Sequence, residues 1–204
     1  IGFEKSGTPG DSKRFYFFGG TSGDIFEDAI GQTFRPGVVR SDAEGAGTFG
    51  QKRQNSAGKH EGLDLLTTPG QAIMSPIDGN VRFGATYTAQ GGHYIEVTGT
   101  GAFVGYVCRI AYVNVGYKKD NNVIFKDKVK AGQPICYSAD MINGYEKQTS
   151  DGEIIENSEG KPERWPGYED NDGNEMLNHI HFEIKYNQAL VNPAEAPYKS
   201  KFLS

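Results

Sequence analysis

Glycine recurs 28 times in this 204-residue chain, and with Pro, Asn and Asp it cuts the apolar residues into short runs. No sustained helical period and no repeat of solenoid type emerges from that pattern. It is the pattern of a β-rich domain with many turns. Strands are predicted over 79–83, 93–98, 103–113, 133–138 and 178–186. Hydrophobic residues make up 36% of the chain, and 11 Tyr and 12 Phe are among them. With glycine added, the apolar fraction approaches that of ordinary globular domains, which excludes a wholly disordered chain.

Other classes fall away on the same footing. No window reaches the roughly 18 consecutive apolar residues of a membrane helix. The chain opens at Ile1 without a basic, then apolar, leader, so a leader or an upstream domain is expected to have been removed. Formal net charge is −5, and no basic stripe could neutralise a run of phosphates, so nucleic acid is not an expected partner. Cys108 and Cys136 are too few for a disulfide scaffold and are not spaced as a CxxC pair. One bridge and two buried thiols are both open.

Two segments stand apart. Residues 1–40 carry Phe15-Tyr16-Phe17-Phe18, Phe26 and Phe34, and read as an N-terminal extension packed on a main domain at 41–204. A partner-binding arm is the competing reading. Residues 143–176 form an insertion with ten acidic side chains against Lys147, Lys161 and Arg164. A polar loop of that length tends to be functional or mobile, and here it is expected to rim a cleft or to shield an edge strand. Asp170 and Asp172 alternate as oxygen ligands do in calcium loops, although Gly173 and the missing twelfth-position Glu leave the motif incomplete. Ca2+ is the ion that run would take.

Three of the four histidines fall in two short motifs, His60-Glu61-Gly62-Leu63-Asp64 and His179-Ile180-His181-Phe182-Glu183. The period of a strand puts His179 and His181 on one face while Ile180 and Phe182 enter a core. Gly62 and the turn signal at 67–70 favour a bent strand or loop over a helix for the first motif, and a bend brings His60 and Asp64 together. Imidazoles with one carboxylate and an open position make a catalytic-type zinc site. Three buried imidazoles beside a carboxylate would be costly without a metal or other partners. His93 stays outside this group, as a turn or strand-start residue.

At these residues the sequence resembles the lysostaphin-type zinc endopeptidases of bacterial cell walls, over about residues 45–193. Phe49-Gly50-Gln51-Lys52-Arg53, Pro69-Gly70-Gln71-Ala72-Ile73, Ser75-Pro76-Ile77-Asp78-Gly79-Asn80-Val81 and Val129-Lys130-Ala131-Gly132-Gln133-Pro134-Ile135 follow the family order around the two motifs. The resemblance implies a mainly β, antiparallel sandwich of the duplicated hybrid motif type. It implies that His60, Asp64 and His181 bind one Zn2+, and that His179 stays off the metal as general base. It also implies peptidoglycan stems or cross-bridges as substrate, and a secreted, periplasmic or cell-surface location.

One position departs from the family. Active members carry a second non-ligand histidine where this chain has Tyr112, in Arg109-Ile110-Ala111-Tyr112-Val113. The leukocyte-cell-derived chemotaxin branch, a zinc-keeping binding protein, has the same replacement. A phenol, with an ordinary pKa of about 10, is no base near neutral pH, but it can donate a hydrogen bond to a developing oxyanion. Two functions follow as expectations: a zinc metallopeptidase with His179 and Tyr112 as catalytic residues, or a non-catalytic zinc-stabilised domain that binds a protein partner at the cleft.

Overall fold

The computed structural model describes residues 26–27, 33–34, 39–42, 45–52, 58–85, 92–115, 127–149, 152–167 and 176–195. Phe15 to Phe18, Arg53, Asp170 and Asp172 lie outside them, and with them the expectations placed on the aromatic run and the calcium loop. Among the described residues the regular secondary structure is strand throughout, apart from a 3-10 turn at Gly101–Phe103. No helix there is long and apolar enough to cross a membrane.

Two small hairpins come first, β1 (Phe26–Glu27) with β2 (Thr33–Phe34), and β3 (Ser41–Asp42) with β4 (Gly45–Ala46). Then follow β5 (Leu63–Leu66), β6 (Ala72–Met74), β7 (Gly79–Gly84), β8 (Tyr94–Gly99), β9 (Tyr106–Ala111), β10 (Val113–Asn114), β11 (Lys128–Val129) and β12 (Pro134–Ser138). The last four are β13 (Tyr145–Glu146), β14 (Arg164–Trp165), β15 (His179–Tyr186) and β16 (Ala189–Val191). The main sheet is antiparallel in the order β11-β7-β8-β9-β15-β16, with β5 also paired to β15. A second antiparallel sheet has the order β10-β12-β6. Leu63, Leu65, Ile95, Ile110, Ile180 and Phe182 of the first sheet share one core cluster with Ile73, Val113, Ile135 and Cys136 of the second.

The expected strands at 79–83, 93–98, 133–138 and 178–186 are present within a residue or two. The run 103–113 is divided. The chain leaves the main sheet after Ala111 and enters the second at Val113, and Tyr112 makes the turn with φ 63°. A left-handed backbone at a bulky aromatic is strained and persists only where its surroundings impose it. Here Tyr112 N–H donates to the His93 carbonyl at 2.8 Å, and the Tyr112 carbonyl accepts from Ala139 N–H at 3.0 Å. Cys108 on β9 and Cys136 on β12 are free, buried thiols, and burial pushes both thiol pKa values up. That settles the choice left open for them.

Over its described residues, 143–149 and 152–167, the acidic insertion is more ordered than a polar loop. Tyr145 pairs with Trp165 and Glu146 with Arg164 across β13 and β14, and isolated bridges join Gln148 to Ile154 and Glu156 to Pro162. Lys147–Glu163 and Arg164–Glu146 salt bridges partner part of its acid. The hairpin docks on His93, a fully buried side chain just ahead of β8. His93 Nδ1–H faces Asn114 Oδ1 at 2.9 Å and the Val113 carbonyl at 3.2 Å, while Nε2 accepts from Gln148 N–H at 2.9 Å and Trp165 Nε1–H at 3.4 Å. Two acceptors on one nitrogen and two donors on the other require a neutral ring. Burial lowers the His93 pKa, partly opposed by Asn114 and the Val113 carbonyl.

The unfolded chain therefore takes up a proton that the folded state refuses. The stabilising contribution is whole above a pH of about 6.5 and falls as pH drops below it, by up to about 1.4 kcal/mol per pH unit. Urea unfolding between pH 7.5 and 5.5, followed on the emission of Trp165, the one tryptophan of the chain, should show this slope. His93→Gln should make it shallower, leaving the slope of the same sign that the buried His179 contributes.

Candidate metal centre

Register builds the site. In the β15 ladder His181 stands opposite Asp64 of β5 on one side and Ala111 of β9 on the other. Side chains of alternating residues share a face, so His179, His181 and Glu183 project together, and Ile180, Phe182 and Ile184 fill the core on the other face, all fully buried. Gly62 forms the bend that carries the chain from His60 into β5. No larger residue fits there, since a Cβ on Gly62 would lie 2.3 Å from the Phe182 carbonyl oxygen.

The structure brings His60, Asp64 and His181 into one buried group. His60 Nε2 lies 3.0 Å from Asp64 Oδ1 and 2.8 Å from His181 Nδ1, which is itself 2.8 Å from Asp64 Oδ1. The outer nitrogens are held by acceptors. His60 Nδ1–H donates to the Thr48 carbonyl at 2.9 Å, and His181 Nε2–H to Glu183 Oε1 at 3.2 Å. With those protons fixed outward, two imidazole lone pairs and a carboxylate oxygen face one another. Such a convergence needs a cation at its centre, and an N, N, O donor set of this kind suits zinc.

The electrostatics of the metal-free protein agree. Burial opposes the charge on Asp64, but His179, with the close approach of His181 and His60, holds its carboxyl well below the usual range. Burial likewise disfavours a charged His181, yet Asp64 and Glu183 raise its pKa.

His179 is placed differently. Its Nδ1–H donates to the Leu177 carbonyl at 2.7 Å, which leaves the lone pair on Nε2, 3.8 Å from Asp64 Oδ2. Burial pushes its pKa down to about 4 against the opposing pull of Asp64. Tyr112 sets its ring edge-on to His179, with centroids 5.3 Å apart, and 6.5 Å from His181. All five residues singled out in the sequence thus meet at one place, and His93 does not join them.

Three participants were not singled out. Glu183 buttresses His181 and continues through Arg109 to Glu96 in cross-strand register. Its position two residues after His181 was the signal for it. Arg40 and Asp42, beside Asp64, have no local motif that could have revealed them.

No protein-family model matches the chain, and no curated relative does. Solved structures do. The catalytic domain of a variant of the prophage-encoded EnpA protein from Enterococcus faecalis is similar at 16% identity over 80% of this chain and 94% of that one, with a TM-score of 0.44. A zinc-containing peptidase from Vibrio cholerae gives 17% identity over 84% of this chain and 46% of that one, with a TM-score of 0.44. The catalytic domain of the antimicrobial peptidase lysostaphin from Staphylococcus simulans gives 18% over 72% and 85%, with a TM-score of 0.42. The structural neighbours are lysostaphin-type peptidases.

Proposed function

We propose that the chain is a zinc-dependent peptidase acting on peptide bonds of bacterial peptidoglycan, with His60, Asp64 and His181 holding the ion and His179 as general base. The observation that carries this reading is the convergence of His60 Nε2, Asp64 Oδ1 and His181 Nδ1 with their outer protons fixed by Thr48 and Glu183. When bound, zinc supplies a Lewis acid that acidifies water and polarises a carbonyl. The protein supplies the proton traffic. His179 accepts a proton at Nε2, the nitrogen left free by the Leu177 carbonyl, and returns it to the departing amine.

Tyr112 takes the place of the histidine that would otherwise donate to the oxyanion. Its phenolic O–H can serve as that donor. Tyr112→Phe keeps the ring against His179 and removes the hydroxyl, so turnover should fall on the order of 10²-fold with zinc content unchanged. Steady-state peptide release and metal analysis on the same sample check both halves of that expectation.

A second reading is a zinc-stabilised binding domain without turnover. The burial of the group favours it, because His60, Asp64, His179 and His181 are each only 2% exposed. The deciding experiment is mass spectrometry of peptides released from purified peptidoglycans by the zinc-loaded protein, with His179→Ala as control. Fragments that vanish in the control support the peptidase, and none across several wall types would transfer the reading to the binding domain.

A further inference from the structure

Arg40 and Asp42 have no part in that chemistry, yet they form a chain of hydrogen bonds along the back of the site. Arg40 is 2% exposed, a costly place for a guanidinium unless every donor is engaged. Its Nε and Nη2 both donate to Asp64 Oδ2, at 3.3 and 3.1 Å, and its Nη1 donates to Asp42 Oδ1. Asp42 Oδ2 accepts from Leu177 N–H at 3.1 Å. The carbonyl of Leu177 is the group that holds His179 Nδ1–H. The chain of hydrogen bonds therefore runs from the carboxylate of the ligand group, through two side chains of the β3 segment and one residue of the β15 approach, to the base.

The backbone fixes this segment in place. Arg40 N–H donates to the Asp64 carbonyl, Asp64 N–H to the Gly47 carbonyl, and Gly47 N–H to the Arg40 carbonyl, each at 2.8 Å. A Cβ on Gly47 would lie 2.4 Å from Asp64 Cβ, so the close approach requires glycine there. The two oxygens of Asp64 are thereby divided. Oδ2 is taken by the planar fork of Arg40, and Oδ1 faces His60 and His181.

We propose that Arg40 is a positioning residue of the metal centre: by occupying Asp64 Oδ2 it leaves a single oxygen to ligate, and through Asp42 and Leu177 it fixes the orientation of His179. This rests on the zinc reading above. A lysine could keep the charge but not the fork, because an ammonium is a point donor where guanidinium offers two parallel N–H groups.

The test uses the whole chain loaded with Zn2+ or Co2+. Arg40→Gln should weaken zinc binding 10–100-fold in competition with a chelating indicator, the usual effect of removing an outer partner of a ligand. Its cobalt form should show a weaker visible d–d band than the wild type, as Asp64 turns to offer both oxygens. Arg40→Lys should recover part of the affinity without restoring the band. Should Arg40→Gln fail to fold, Arg40→Lys carries the test on the band alone, and Asp42→Asn is expected to alter kcat more than zinc affinity. A folded Arg40→Gln with zinc affinity within twofold of wild type and an unchanged cobalt spectrum would overturn the proposal, as would an unchanged band in Arg40→Lys. Wild-type protein that takes up neither ion would overturn the zinc reading itself, a result visible before any variant is made.

Discussion

His179→Ala is expected to lose about 10²–10⁴-fold in turnover and to keep one zinc per chain. The argument is geometric. His179 and His181 share a face of β15, but only His181 presents a nitrogen to both His60 and Asp64 Oδ1. His179 points its free Nε2 toward the other oxygen of Asp64, at 3.8 Å, where a proton can be accepted without a ligand being lost. Removing the imidazole leaves the strand in place, since Ile180 and Phe182 hold β15 to the core and the ladder with Leu66 is backbone. The rate of fragment release and the metal content, measured on one preparation, decide the matter. Turnover within tenfold of wild type would remove His179 from the chemistry. Loss of zinc together with turnover would make it a ligand.

Much of this site was legible because strand chemistry is periodic. HxH on a strand gives two imidazoles on one face wherever the intervening residue enters a core, and Ile180 does so. The bend at Gly62 was equally local, and so was the expectation that His60 and Asp64 meet. What the sequence concealed is what long-range pairing decides. Tyr112 is recognisable as a position, but nothing nearby signals its left-handed backbone, which comes from the exchange of sheets between Ala111 and Val113. His93 reads as a strand start, and its role appears only when the hairpin carrying Gln148 and Trp165 folds back over it. The acidic insertion reads as a solvated loop for the same reason. Its order comes from pairing Tyr145 with Trp165 and Lys147 with Glu163, residues 16 to 20 positions apart. Arg40 is the extreme case, since its partner lies 24 residues away and a lone arginine near a strand carries no motif.

Asp64→Ala should abolish zinc binding and also lower the stability of the metal-free protein by about 3–5 kcal/mol, the usual cost of removing one member of a buried ion pair. Asp64 is the hub of the charges. Its Oδ1 faces His60 and His181, its Oδ2 faces Arg40, and all four side chains are almost fully buried. Alanine strands part of the Arg40 guanidinium away from water and takes from His181 the leading hydrogen bond that raises its pKa. His60→Ala makes the contrast, because it should lose the metal as completely while leaving the Arg40–Asp64 pair intact, so its stability loss should be smaller. Urea unfolding of both variants with a chelator present measures that difference. Repeated in excess zinc, the wild type should gain stability by mass action, whereas both variants should show none. A wild type indifferent to zinc in that comparison would mean that the buried cluster serves the fold alone, with Arg40 supplying the positive charge that Asp64 requires.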